Sequence, residues 1–126
     1  MLSLFFDLLS KIVEIIKNNS EMDRTRKFDI SGILFDISSI LLDTSVKLSE
    51  DKYPYHNCQI MEKLSNNLYN SLDGYVDNDT RNKINELLKE ASQLEKLYQL
   101  RENKEIIREL MRISGEFNAM SILIKL

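Results

Sequence analysis

Residues 28–48 read as three heptads in succession, FDISGIL, FDISSIL and LDTSVKL. This repeat constrains the fold more than any other feature of the chain. Its third and seventh positions, Ile30, Leu34, Ile37, Leu41, Thr44 and Leu48, are spaced 4, 3, 4, 3, 4. A seven-residue apolar repeat keeps one seam turned to a partner helix and implies left-handed supercoiling of the pair. The sixth positions, Ile33 and Ile40, thicken the seam. The first positions, Phe28, Phe35 and Leu42, with Val46 nearby, lie about 120–160° away from it at roughly 100° per residue. A helix with two apolar stripes touches two layers. Segment 21–50 is therefore expected to be one long helix, capped by Asn19 or Ser20. It is either the centre of a bundle or a core helix with an oligomer interface on its back.

The rest of the chain carries the same kind of signal. Only three glycines and one proline occur in 126 residues, so long stretches are free to be helical. In segment 2–18, Leu2, Phe5, Leu9, Ile12 and Ile16 form one seam, widened by Phe6 and Val13 on one side and by Leu4, Leu8 and Ile15 on the other. The apolar arc covers about 200°, more than one neighbouring helix requires. This stretch lacks the basic start and unbroken apolar run of a signal peptide, and it reads as part of the mature fold. Segment 57–72 presents Ile60, Met61, Leu64, Leu68 and Leu72. Segment 80–100, capped by Asp79, presents Ile84, Leu87, Ala91, Leu94 and Tyr98. Segment 104–124 presents Ile106, Leu110, Ile113, Phe117, Met120 and Ile124. The phase jump between Tyr98 and Ile106 places a break near 101–103, with one continuous rod as the alternative. The expectation is an all-α, single-domain chain over 1–126, a four- or five-helix, mostly antiparallel bundle with coiled-coil-like seams.

Several chemistries find little support. The net charge of −3 gives no general attraction to nucleic acid or anionic lipid. Carboxylate metal sites in bundles use inward Glu and a Glu-x-x-His pair; the single histidine, His56, lies in a loop, and the seams are apolar. The single Cys58 sits two residues from His56, where side chains diverge. Gly32 and Gly115, each following Ile-Ser, read either as points of close helix approach or as tolerated weak spots of about 1 kcal/mol. Asp29, Asp36 and Asp43 repeat every seven residues, about 10.5 Å apart, too far to chelate one ion. They form an acidic stripe that a basic partner could read, or a wet face. No cofactor, metal, catalytic group or small-molecule ligand is expected, and no apolar run is long enough to span a membrane.

What remains is surface. Leu4, Leu8, Ile15, Phe28, Phe35, Leu42, Val46, Tyr53 and Tyr55 are the candidate protein-interface residues, the two tyrosines flanking Pro54. Arg24, Arg26 and Lys27, with Arg101, Lys104, Arg108 and Arg112, are the candidates for an alternative nucleic-acid surface. Glutamates interleave with the second group, which makes a solvated ion-pair face the preferred account there. A second alternative lays the helix at 2–18 on a membrane, although Asp7 and Glu14 cancel Lys11 and Lys17. The leading expectation is a non-enzymatic, cytoplasmic interaction protein, self-associating or serving as an accessory subunit of a larger assembly. The Ile-, Asn- and Lys-rich usage is what AT-rich coding gives, and points to a bacterial, phage or mobile-element origin.

Overall fold

The structure is a computed structural model and describes residues 23–74, 76–91 and 104–125. Among the described residues there are four helices and no strand: α1 (Arg24–Ser49), α2 (Tyr55–Ser71), α3 (Asn78–Ala91) and α4 (Lys104–Leu123). The helix expected at 2–18, with Leu4, Leu8 and Ile15, and the break expected near 101–103, with Arg101, lie outside the described residues.

Helix boundaries follow local chemistry. Asp23 holds extended backbone, and its carboxylate accepts the Arg26 backbone N–H at 2.7 Å. The cap of α1 is thus Asp23 rather than Asn19 or Ser20. The same carboxylate offsets Arg24, Arg26 and Lys27 at the positive end of the helix dipole. At the far end Asp51 adopts φ 58°. Lys52 N–H then closes on Lys47 O at 2.8 Å and Asp51 N–H on Leu48 O at 3.2 Å. That pair of bonds is a Schellman ending with aspartate in the seat glycine usually takes. Helix α2 starts at Tyr55, two residues before the expected start, directly after Pro54. Helix α3 starts at Asn78 because Asp77, not Asp79, accepts Thr80 N–H at 3.0 Å and the Thr80 hydroxyl at 2.8 Å.

All six seam residues of α1 are buried: Ile30, Leu34, Ile37, Leu41, Thr44 and Leu48. They share one core with Met61, Leu64 and Leu68 of α2, Leu72, Val76, Ile84 of α3, and a full face of α4 from Ile107 to Phe117 and on to Ile124. Ile60, placed on the apolar face of its segment by spacing, is exposed. Helix α1 packs against α4 and α2, and α3 packs against α2.

The α1–α4 contact is organised by serines. Ser31 Oγ donates to Ser121 O, and Ser38 Oγ donates to Ser114 O at 2.7 Å. Ser114 Oγ returns a bond to Ser38 O at 2.7 Å. A step of seven up α1 matches a step of seven down α4, so these two helices run in opposite directions. Serine carries its hydroxyl one carbon from the backbone. Reaching the facing carbonyl holds the two axes at the short end of the usual separation of roughly 8–10 Å. The sequence of α4 and its end mirrors that of α1 in the same frame: KEIIREL, MRISGEF and NAMSILI over residues 104–124. Fourth positions face fourth positions about the Ser38–Ser114 pair, and by the same register Ser45 faces Ile107.

Gly32 and Gly115 do not make this approach. Both are exposed, and a Cβ built at either meets nothing within 4 Å. Of the two accounts given for them, the tolerated weak spot holds, and close contact belongs to the serine one residue earlier.

Candidate interaction surface

The serine row divides each of the two helices. On one side, about 100° round, lie the buried residues that precede each serine: Ile30 and Ile37 on α1, Ile113 and Met120 on α4. On the other side lie the first and fifth heptad positions. On α1 these are Phe28, Phe35 and Leu42, exposed at 44%, 52% and 48%, with Val46. On α4 they include Met111 and Ile122, also exposed. Because the helices are antiparallel and share one heptad frame, both exposed sets lie on the same side of the pair, opposite the core. The second stripe read from the heptads is thus an exposed apolar row on α1, continued on α4 only by Met111 and Ile122, with Gly115 and Asn118 between them. At one end Phe28 is flanked by two cations, the Arg24 guanidinium at the start of α1 and Lys125 Nζ just past the end of α4, 5.4 Å and 5.9 Å from its ring centre.

Charge borders this face asymmetrically. Asp29, Asp36 and Asp43 are exposed along the edge of α1 away from α4; the same heptad position on α4 holds Glu105 and Arg112, both exposed, while Lys104 and Arg108 stand at the first and fifth positions, within the face. Arg112 pairs with Glu116 farther round α4. The two basic clusters do not merge. Through the serine register, Arg26 lies about 20–35 Å along the axis from Lys104, Arg108 and Arg112, at 1.5 Å per residue. Arg26 and Lys27 are half-buried, and Arg26 reaches across to Ser71 O at 3.4 Å.

Tyr53 and Tyr55 are exposed and stack on each other, with centroids 5.3 Å apart. Two residues beyond Tyr55 lies a polar node that sequence spacing did not reveal. Asn57 is buried; its Nδ2 donates to Asp43 Oδ2 and to Thr44 Oγ1, each at 2.9 Å, and Lys47 Nζ donates to its Oδ1 at 2.7 Å. Lys47 also pairs with Asp43 at 3.0 Å. The Asn57 bond and then Lys47 hold the Asp43 carboxyl below its ordinary range. Thr44 occupies a heptad position that elsewhere holds isoleucine, and this node is why: the start of α2 lands there and needs a hydroxyl.

A second unforeseen group is Arg81, buried on α3. It pairs with Asp73, and its guanidinium lies 3.8 Å over the Tyr69 ring, clamping α3 to the end of α2. His56 is exposed. Cys58 is buried, and burial pushes its thiol above the ordinary value, which keeps it protonated at neutral pH. Among the described residues no three His, Cys, Asp or Glu side chains converge as a metal site would require, and no helix is long and apolar enough to cross a membrane. Compared with protein-family models, curated proteins and solved structures, the chain matches none.

Proposed function

We propose that this chain is a non-catalytic helical interaction protein, self-associating or built into a larger assembly as an accessory subunit. In this reading α1 and α4 form the antiparallel, coiled-coil-like seam of a bundle. The observation that supports it is the solvent-facing row Phe28, Phe35, Leu42 and Val46 beside Met111 and Ile122. Scattered single apolar residues on a surface need no explanation, but a contiguous apolar row bordered by charge is typical of docking surfaces. Two aromatic rings in the row, Phe28 and Phe35, fit the residue types that anchor interfaces.

The test is paired. Light scattering coupled to size exclusion gives the mass of the full chain and of Phe35→Ser/Leu42→Ser. Because both positions are already exposed, the double variant should unfold within about 0.5 kcal/mol of the parent, as surface changes do. It should lose whatever association the parent shows. A parent that is monomeric at high concentration, with no partner whose binding depends on Phe35 and Leu42, removes the basis of the proposal.

A further inference from the structure

We draw no further inference here: the strongest candidate, the exposed apolar row of Phe28, Phe35, Leu42 and Val46 on α1, belongs to the surface already described, and nothing in the structure shows what covers it.

Discussion

Backbone geometry at single residues departs from the local optimum at several points, and each departure can be measured. Asp51 holds φ 58°, where a side chain is strained and glycine is not. Its Schellman bonds run through backbone atoms, so Asp51→Gly keeps them and should stabilise the chain by about 0.5–1 kcal/mol in urea unfolding. Gly32 is the reverse case, an exposed glycine inside α1 with open space around a built Cβ. Gly32→Ala should add about 0.5–1 kcal/mol in the same measurement. Ser38 tests the opposite expectation from its apolar surroundings. It is buried in the core contact, and a heptad drawn only in apolar and polar letters would accept leucine there. The reciprocal bonds to Ser114 leave no such volume. Ser38→Ala should cost about 1 kcal/mol, the worth of a buried hydroxyl bond, while Ser38→Leu should cost about 2 kcal/mol or more through overpacking. A leucine variant as stable as the parent would refute the close approach.

At the scale of elements, α2 is held to α1 by a polar node as well as by apolar surface. Asn57→Ala removes three side-chain hydrogen bonds at once and should cost roughly 2 kcal/mol. It should also change the response to acid. Asp43 in the folded chain has its pKa lowered from 3.8, first by Asn57 and then by Lys47. A depressed carboxylate contributes stability that is complete above its unfolded value and is lost as pH falls below 3.8 toward the folded one. Unfolding free energy measured from pH 6 down to pH 3 should therefore fall less steeply in Asn57→Ala than in the parent. An unchanged slope would mean that Asp43 does not sense Asn57. Asp77, also lowered, by Thr80, supplies a slope of the same sign in both chains. The helices themselves were legible because a 3.6-residue periodicity survives any tertiary context. Their ends were not. Asp23 and Asp77 compete with nearby Asn19, Ser20 and Asp79 as caps, and only the direction of the incoming chain decides among them. Asn57 and Arg81 were invisible for a related reason: a buried polar residue reads as surface until the partner that satisfies it is in place.

For the molecule as a whole, the heptads showed two apolar stripes on α1, one buried from Ile30 to Leu48 and one exposed at Phe28, Phe35 and Leu42, but not which segment closes on the buried one. The serine row held that information. Ser31, Ser38 and Ser45 recur at the fourth position, and Ser114 and Ser121 recur at the same position of segment 104–124. Two rows in one frame point to an antiparallel pair closed by small residues, a signal hidden because serine counts as polar in any apolar seam. The pairing joins residues 76 to 90 apart in sequence, so α1 reaches its largest partner only after a long loop is closed. Helix α4 and its end contribute Ile107, Leu110, Ile113, Phe117, Met120 and Ile124 to the single core, and Ser31 and Ser38 bond to Ser121 and Ser114 of that segment. A chain ending at residue 103 should thus lose its cooperative urea transition, with Ile30, Ile37, Ser31 and Ser38 opened to water. Addition of a separate peptide of residues 104–126 should restore helicity and a cooperative transition, with a midpoint that rises with peptide concentration as binding linkage requires. In the peptide, Ser114→Leu should prevent that restoration while Gly115→Ala should not, because the first blocks the approach to Ser38 and the second points away from it. A truncated chain that unfolds cooperatively at the parent's midpoint would show that the α1–α4 seam does not hold the molecule together.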